Sequence, residues 1–413
     1  MEDEKKPKIR FQEFSTEWNI IKLSEIFNEY TCKTTREDEY PVLSSTMSGI
    51  YFQNEYFNQN VSTASNIGYK IVPKGYMTYR SMSDNDTFHF NIQNITNYGI
   101  VSPAYPVFKC NDKNNSKFVI NYMNENKNFK EQLRYKKEGG TRYALPFSKL
   151  KEMDVIVTEK KEQEKIADFI STIDKVLHYN QKKFEKLNCI KKSMLNKMFP
   201  NDETLIPKIR FEKFTDKWEK HELGELIQLN GRIGFRGYTQ NDIISKEDGG
   251  VLTFSPTNIL NNQIVMDVKN TYITKEKYDE SPEIQIHNND ILFVKTGSSL
   301  GKCALVKNLD EPASINPQVV VIRADDKIVK FLSMELSSNL IQDQVSCDKI
   351  GGAVPTLTEG KIKKFEIYIP NNTEESRLIG EYFEKLDEVI NYYKMKIEKI
   401  AMFRSSMLEK MYV

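Results

Sequence analysis

The sequence predicts a mixed α/β protein built as an internal repeat, in which a globular domain followed by a long α-helix occurs twice. A stretch with helical periodicity runs from Glu162 to Phe199 and recurs from Glu375 to Tyr412, at a constant offset of 213 residues. An aromatic segment at residues 7–27 recurs at residues 207–227. Between these repeats the chain changes to short β-like segments. Together these observations predict two similar halves.

The predicted division has four parts, and 413 residues leave room for a separate core in each globular part. Two parts are globular domains with their aromatic segments, and two are long helices. The boundaries are 1–158 for the first domain, 159–200 for the first helix, 201–372 for the second domain and 373–413 for the second helix.

Apolar residues recur along both long stretches in alternating steps of four and three, which is the heptad pattern of a coiled coil. Two unrelated amphipathic helices on separate domains would fit the same pattern. Identity at 13 of 38 aligned positions, including polar residues such as Asp174 and Asp387, favours duplication and pairing of the two copies. Asn180, Lys191 and Arg404 interrupt the seam and are predicted to fix its register. The predicted helix-pairing residues are Ile166, Ile170, Ile173, Leu177, Phe184, Leu187, Ile379, Phe383, Leu386, Ile390, Ile397 and Ile400.

The aromatic segments agree at nine of 21 positions and contain both tryptophans of the chain, Trp18 and Trp218. This pattern predicts an extended segment that docks its aromatic side chains, with a helical turn beginning near Leu23. Buried aromatic side chains mostly contribute packing energy. A structural role is therefore favoured over binding.

The globular interiors contain short segments rich in aromatic and β-branched residues, bounded by turn residues, as strands and hairpins are. Each interior also contains one longer helical segment. The predicted strands are 42–46, 69–72, 75–80, 88–92, 250–254, 290–295 and 319–323, and the predicted helices are 118–134 and 329–346. Because the interiors diverge more than the repeats that flank them, they are the natural place for two different recognition surfaces.

Composition and motifs exclude most catalytic chemistry. Five scattered cysteines without a C-x-x-C pair argue against disulfides and structural zinc, and four histidines show no metal-binding spacing. The segment from Gly297 to Lys302 is too short for a phosphate-binding loop, and Cys303 replaces the required Ser or Thr. We therefore predict no enzyme, cofactor or metal site in this chain. No apolar run is long enough to cross a membrane and the amino terminus is charged, so a cytoplasmic protein is expected.

Candidate DNA contacts lie in both domains, although the net charge of the chain is only +1. From Lys109 to Arg142, nine basic residues face four acidic ones and are interleaved with tyrosines, and Arg142 follows a Gly-Gly pair. Basic groups neutralise phosphates, while glycines let the backbone approach a ligand. A solvated charged face explains the same features. The candidates are Arg80, Lys136, Lys137, Arg142, Tyr143, Arg232, Arg236, Tyr238, Lys295, Thr296, Ser298, Ser299 and Lys302.

The whole chain resembles the specificity subunits of Type I restriction-modification systems. The resemblance rests on Pro-Lys-Ile-Arg-Phe-x-x-Phe-x-x-x-Trp before each domain, on Asp290-Ile-Leu with Thr296-Gly-Ser-Ser-Leu-Gly-Lys302, and on the two helix ends Ser-Met-Leu-x-Lys-Met. The first domain has no equivalent of the Gly-Ser-Ser-Leu-Gly-Lys run after Arg80, so contacts made there cannot be carried over.

The resemblance implies two tandem target-recognition domains, related by a pseudo-two-fold repeat, that each read one half of a bipartite double-stranded DNA site. It implies that the two helices pair as an antiparallel coiled coil, which spaces the domains and carries two modification (methyltransferase) subunits. S-adenosylmethionine, ATP and magnesium would bind to those subunits and to the restriction subunits. A 38-residue helix is ~57 Å long, whereas one turn of DNA is ~34 Å. The alternative is a duplicated coiled-coil adaptor without DNA sequence specificity.

Overall fold

The structure is a computed structural model that describes residues 6–56, 65–84, 87–138, 143–200, 204–350 and 354–413. It divides into two compact units, one formed by Met1–Gln181 with Met395–Val413 and the other by Lys182–Lys394. Each unit holds one globular domain and part of each long helix. The four-part division predicted from the sequence, which keeps each helix whole, stays a prediction.

The first unit contains the first half of the secondary structure. Its strands are β1 (Asn19–Lys22), β2 (Phe27–Glu29), β3 (Leu43–Thr46), β4 (Gly49–Phe52), β5 (Lys70–Pro73), β6 (Met77–Thr78), β7 (Met82–Ser83), β8 (Asn91–Ile92), β9 (Tyr98–Val101), β10 (Val107–Cys110), β11 (Tyr143–Ala144) and β12 (Asp154–Val157). Its helices are α1 (Leu23–Ile26), α2 (Gln53–Tyr56), α3 (Ser116–Glu125), α4 (Lys127–Lys136), α5 (Phe147–Lys151) and the start of α6 (Lys160–Lys197).

The second unit contains the remaining elements. Its strands are β13 (Glu219–Glu222), β14 (Ile227–Gly231), β15 (Ile243–Ile244), β16 (Val251–Phe254), β17 (Ile259–Leu260), β18 (Gln263–Ile264), β19 (Thr271–Ile273), β20 (Ile291–Val294), β21 (Cys303–Leu305), β22 (Ala313–Ile315), β23 (Val319–Ala324) and β24 (Glu366–Ile369). Its helices are α7 (Lys275–Asp279), α8 (Val329–Glu335), α9 (Asn339–Asp348), α10 (Glu359–Lys363) and much of α11 (Thr373–Met411). Short 3-10 turns lie at Leu223–Glu225, Gly234–Arg236, Gln240–Asp242, Pro256–Asn258 and Pro282–Ile284.

Both domains are built on the same scaffold. A four-stranded antiparallel sheet has the order β2-β10-β6-β8 in the first domain and β14-β23-β20-β21 in the second. The pair β1–β12 corresponds to β13–β24. The remaining strands differ, since the first domain adds the pairs β3–β4 and β5–β9, whereas the second adds a sheet of order β15-β19-β16-β22. Divergence is therefore concentrated in the added strands.

The aromatic segments dock as the sequence predicts. Trp18 and Trp218 are buried in the cores of their own domains, and a helical turn begins at Leu23. Arg10 donates two hydrogen bonds to the carboxylate of Glu162, at 2.7 and 2.8 Å, and Arg210 binds Glu375 in the same way at 2.6 and 2.8 Å. Both glutamates are fully buried near the start of a long helix. Bidentate arginine–carboxylate pairs are geometrically specific, which explains why these residues are identical in both copies.

The ends of the long helices pack into the domain cores. In the first unit Tyr412 lies 5.0 Å from Phe118 between ring centroids, and the Ile9 amide donates to the Lys410 carbonyl at 2.9 Å. In the second unit Phe199 lies 5.4 Å from Phe331, and the Ile209 amide makes the equivalent bond to the Lys197 carbonyl at 2.8 Å. The repeated Ser-Met-Leu-x-Lys-Met ends are therefore docking sites for the aromatic segments.

The two long helices pack together along the predicted seam. Of the twelve predicted pairing residues none is exposed, and Ile166, Ile170, Ile173, Ile379, Phe383 and Ile390 are buried. Two of the three polar seam residues pair across the helices, since Arg404 binds Asp174 at 2.5 Å in the first unit and Lys191 binds Asp387 at 2.7 Å in the second. The Asn180 side chain instead donates to the Val176 carbonyl of its own helix at 2.6 Å. Early residues of one helix thus meet late residues of the other, which is the antiparallel arrangement. A charged pair within an apolar seam fixes register.

The helices predicted at 118–134 and 329–346 are each broken in two. Asn126 has the extended conformation between α3 and α4, where its side chain accepts from the Phe129 amide at 3.0 Å and donates to the Val413 carbonyl at 2.8 Å. In the second domain the break lies between Glu335 and Asn339. Apolar periodicity continues across both breaks, so the sequence pattern alone does not show them.

A buried carboxyl makes the second unit sensitive to pH. Glu335 is buried, and one of its carboxyl oxygens accepts from the Tyr368 amide at 2.7 Å while the other has no partner among the described residues. Burial raises the pKa of Glu335 to about 8. In the unfolded chain the carboxyl titrates near its ordinary pKa of 4.5. Folding therefore takes up a proton between these two values, and the free energy of unfolding falls as pH rises between them.

We expect Glu335→Gln to remove this pH dependence, because a neutral amide can keep the bond from Tyr368 without ionising. Urea unfolding at pH 5 and at pH 8 measures the change in the free energy of unfolding. The wild-type protein should lose stability on the order of a few kcal/mol between these pH values, whereas the variant should lose much less. Glu247→Gln, at an exposed position, serves as the control. Equal pH slopes for Glu335→Gln and the wild type would contradict the assignment.

Candidate nucleic-acid interface

In the first domain the structure brings three of the predicted contact residues close together. Strand β11 pairs with β7, with Tyr143 opposite Ser83, so Tyr143 lies beside the segment that begins at Arg80. The Lys137 ammonium lies 4.0 Å from the centre of the Tyr143 ring. The Arg80 guanidinium lies 3.6 Å from the Asp84 carboxylate, and both side chains are largely exposed. Arg80 is exposed, whereas Lys137 and Tyr143 are half-buried.

Arg80 also stands at one wall of a cleft of about 720 Å³. The hairpin β3–β4 forms another wall, and His89 and Tyr105 also line the cleft. Burial lowers the pKa of His89 and raises that of Tyr105, so both are neutral near pH 7. Hydroxyl and neutral imidazole groups both donate and accept hydrogen bonds, as the reading of base edges requires. The polar lining residues are Ser44, Ser45, Thr46, Ser48, Gln53, Tyr56, Tyr69, Arg80, Ser83, Asp84, Thr87, His89, Ser102 and Tyr105.

Some of the basic side chains between Lys109 and Arg142 pair with carboxylates of the first unit. Lys127 pairs with Glu409, and Lys136 lies 3.0 Å from Glu152. The hydrogen bond from Lys136 lowers the pKa of Glu152. Residues 139–142, which include the Gly-Gly pair and Arg142, lie outside the described residues. Lys136 would have to exchange its carboxylate partner for a phosphate to bind DNA.

In the second domain Arg232 holds a loop in place rather than presenting a free charge. Its guanidinium is buried and donates to the Ile315 carbonyl at 3.1 Å, to the Ser314 hydroxyl at 3.0 Å and to the Arg236 carbonyl at 3.3 Å. It also lies 5.2 Å from the centre of the Tyr238 ring. Burial lowers the pKa of Arg232 and raises that of Tyr238. Arg236 and Tyr238 are half-buried, and Arg236 lies 3.5 Å from Glu283.

Lys295 is also engaged within the domain. Its ammonium lies 2.8 Å from the Glu359 carboxylate, and the side chain is only 18% exposed. A Cβ atom on Gly231 would lie 2.2 Å from that carboxylate and 3.0 Å from the ammonium. The ion pair therefore approaches the backbone of Gly231 closely, and a larger residue there would displace the ends of these two side chains. Lys295 follows β20 as Arg80 follows β6, but only Arg80 is exposed.

The segment from Thr296 to Lys302 forms a tight loop after β20. Gly297 and Gly301 have φ angles of 104° and 84°, which favour glycine. The Gly301 and Val294 amides donate to the Val294 and Lys302 carbonyls at 2.9 and 2.8 Å. Ser298 and Lys302 are exposed, while Thr296 and Ser299 are half-buried. Within the described ranges, the Ser298, Ser299 and Lys302 side chains make no hydrogen bond or ion pair, so this loop can donate to a phosphate or base.

Sequence reasoning named residues of the exposed second-domain loop and of the Arg80–Tyr143 group, but among the residues that line the first-domain cleft it named only Arg80. Ser44, Ser45 and Thr46 lie in a segment that the sequence predicts as a strand, and Tyr105 lies about 60 residues further along the chain. No local pattern connects these segments. The Ser-Ser-Thr run inside a strand was the one available signal, because hydroxyl residues there are not needed for packing.

The described parts of the chain contain no group of three or more His, Cys, Asp or Glu side chains that could hold a metal ion. None of the helices in these parts is long and apolar enough to cross a membrane.

Comparison with known proteins identifies the family. A model of the Type I restriction modification DNA specificity domain matches residues 15–188 and again residues 215–402. The chain belongs to this family. The two matches reproduce the internal repeat and together cover most of the chain.

Two curated specificity subunits are similar to parts of this family member. The specificity subunit of the Type I restriction enzyme MjaVIII from Methanocaldococcus jannaschii is 22% identical over 247 residues, which is 58% of this chain and 56% of that protein. The EcoR124I/EcoR124II specificity subunit from Escherichia coli is 27% identical over 154 residues, or 37% of each chain. The chain thus spans about half or less of the length of these relatives.

Solved structures show the same fold over the full length. The S subunit of a Type I restriction-modification system from M. genitalium covers 99% of both chains, with a TM-score of 0.61 and 16% identity. A chain from a study of complex assembly and conformational transition in the Type I system covers 95% of this chain and 97% of its own, with a TM-score of 0.53 and 13% identity. The predicted mixed α/β fold with two tandem domains and paired long helices is therefore confirmed.

Proposed function

We propose that this chain is the DNA-recognition subunit of a Type I restriction-modification complex and that each globular domain reads one half of a bipartite site. The observation that carries the proposal is the repeat itself, in which both domains share one scaffold and differ in their added strands. A shared scaffold gives the same placement on DNA, while different added strands give different sequence preferences. The first-domain cleft and the Thr296–Lys302 loop are the proposed reading surfaces.

The paired helices are proposed to carry two modification subunits and, through them, the restriction subunits. S-adenosylmethionine, ATP and magnesium are assigned to those partners, and the chain itself to no catalytic step. Partner subunits would also supply much of the positive surface that a chain with a net charge of +1 lacks. None of the relatives or structures above supports the adaptor alternative.

DNA binding is tested with the chain and its modification subunits together. We expect a gel-shift assay to show preference for a site with two specific halves over shuffled DNA of the same length. Purified chain alone should methylate and cleave nothing. Weak retention that does not depend on sequence, with the partners present, would favour the adaptor function.

The Thr296–Lys302 loop has its own test. We expect Lys302→Ala to weaken binding to cognate and shuffled DNA alike, and to reduce the slope of log affinity against log salt by about one, because one phosphate contact is lost. Lys327→Ala, another exposed lysine of this unit, is the control and should leave the slope unchanged. If the slope of log affinity against log salt is the same for Lys302→Ala and Lys327→Ala, the loop is not part of the DNA interface.

A further inference from the structure

Arg80 lies on a well-anchored part of the first domain, although its own side chain is exposed. On one side of it, Tyr79 is fully buried and donates its hydroxyl to the Leu145 carbonyl at 2.8 Å. On the other side, the Ser81 hydroxyl donates to the Ala104 carbonyl at 2.7 Å, and the Ser81 carbonyl accepts from the Leu145 amide at 2.9 Å. A side chain on a fixed backbone loses less conformational freedom when it binds a ligand.

Arg80 forms an ion pair with Asp84 that stability does not explain. The guanidinium lies 3.6 Å from the Asp84 carboxylate, and the two side chains are 48% and 69% exposed. Ion pairs as exposed as this one contribute little to stability. Within the described residues the Arg80 guanidinium makes no hydrogen bond, so its donors are available to a ligand. Asp84 therefore orients the guanidinium without occupying its donors.

The charges of the first-domain cleft indicate which part of DNA it binds. Arg80 and Asp84 are the only charged side chains among the described residues that line the cleft, and their charges cancel. Burial lowers the pKa of His89, so that lining residue is neutral near pH 7. Met47 and Met82, which are 59% and 42% exposed, also line the cleft. A surface that binds phosphates is rich in Lys and Arg, whereas this cleft matches the uncharged edges of bases.

Guanine fits the Arg80–Asp84 pair better than a phosphate or another base does. Guanine presents two acceptors, O6 and N7, in the major groove, and a planar guanidinium donates to both at once. A phosphate bound to Arg80 would lie close to the Asp84 carboxylate, and the two negative charges would repel each other. Adenine and cytosine present an amino donor, for which a guanidinium has no acceptor, and thymine presents a single acceptor.

We infer that Arg80, oriented by Asp84, reads a guanine in the half-site bound by the first domain. This inference rests on the proposed function and names both the base and the side chain that recognises it. The second domain has no equivalent contact, because Lys295 follows the corresponding strand but pairs with Glu359 at 2.8 Å.

The test uses the full chain with its modification subunits and the bipartite site identified from methylated adenines. Each guanine of the site is replaced in turn by deazaguanine, in which a C–H group takes the place of N7 and base pairing is kept. We expect one replacement, in one half-site only, to weaken wild-type binding about tenfold, because a hydrogen bond from a charged donor is lost. The same replacement should leave the affinity of Arg80→Ala unchanged. A gel-shift competition measures both affinities.

Sequencing of methylated adenines gives a second readout. Arg80→Ala should accept any base pair at the position of that guanine and keep the preference at every other position. Arg80→Gln should shift the preference at this position toward adenine, because a glutamine amide matches N6 and N7 of adenine. Asp84→Asn should reduce the preference for guanine at the same position, and by less than Arg80→Ala does, because the guanidinium is then oriented less firmly.

Arg36→Ala is the matched control for these variants. Arg36 is an exposed arginine of the first domain that does not line the cleft. Its loss should leave both the methylated motif and the response to deazaguanine unchanged. Thermal melting by circular dichroism checks that every variant is folded, and an exposed side chain such as Arg80 should be replaced without loss of stability.

The possible results separate the inference from the proposed function. If Arg80→Ala responds to every deazaguanine replacement as the wild type does, or weakens binding to all sequences alike, Arg80 reads no guanine. Either result would overturn the inference and leave the proposed function intact. A wild-type complex that does not prefer its bipartite site to shuffled DNA would overturn the proposed function itself.

Discussion

Exchange of residues 28–150 for the corresponding segment of a specificity subunit with another target should change one half of the methylated site completely and leave the other half unaltered. The exchanged segment contains the first-domain cleft, whereas β1, β12 and the aromatic segment remain in place. Arg10 and Glu162 lie outside it, so the bond that anchors the start of α6 is kept. Sequencing of methylated adenines in a host that expresses the hybrid measures both halves.

The design of this exchange follows from the packing of α3. Phe118 contacts both Trp18 and Tyr412, and Asn126 donates to the Val413 carbonyl. The hybrid should therefore retain Phe118 and Asn126. The matched control exchanges residues 228–362 and should change the opposite half-site. A hybrid in which both halves change together would contradict independent reading by the two domains.

Replacement of Ile173 by Asp should prevent assembly with the modification subunits. Ile173 is buried in the seam between the long helices, within the core of the first unit. Loss of such a buried side chain alone lowers the free energy of unfolding by about 2–5 kcal/mol. Burial of an unpaired carboxylate lowers it further. The variant should melt at a lower temperature and elute without partner subunits on gel filtration.

The chain offers two comparisons for this variant. Thr172→Asp, one residue away on an exposed position of the same helix, should assemble normally. Leu386→Asp changes the equivalent seam position in the second unit, where the side chain is half-buried, and should have a smaller effect in the same direction. Equal melting temperatures for Ile173→Asp and Thr172→Asp would rule out the seam as a source of stability.

The repeats allowed much of the fold to be predicted from the sequence. Periodicity identified the inner residues of the helices, and identity between the copies marked both ends, where Glu162 binds Arg10 and the last turn docks the aromatic segment. The breaks in the two shorter helices were missed, because apolar spacing continues past Asn126 and only its tertiary bond to Val413 explains the interruption.

The candidate interface was harder to predict because side-chain partners depend on residues far apart in the chain. Arg232 and Lys295 are basic residues in glycine-rich segments, yet one binds Ile315 and Ser314 and the other binds Glu359, 64 residues away. The register of the seam was hard to predict for the same reason. Lys191 and Arg404 are recognisable as polar interruptions, but their partners Asp387 and Asp174 become evident only when the helices are paired.

The central claim is that one chain reads two separate half-sites, and the methylated motif in the genome of a host carrying this chain and its modification subunits tests it most directly. The account predicts methylated adenines in a motif of two specific parts separated by a spacer of fixed length without sequence preference. A single uninterrupted motif, or no motif that depends on this chain, would contradict it.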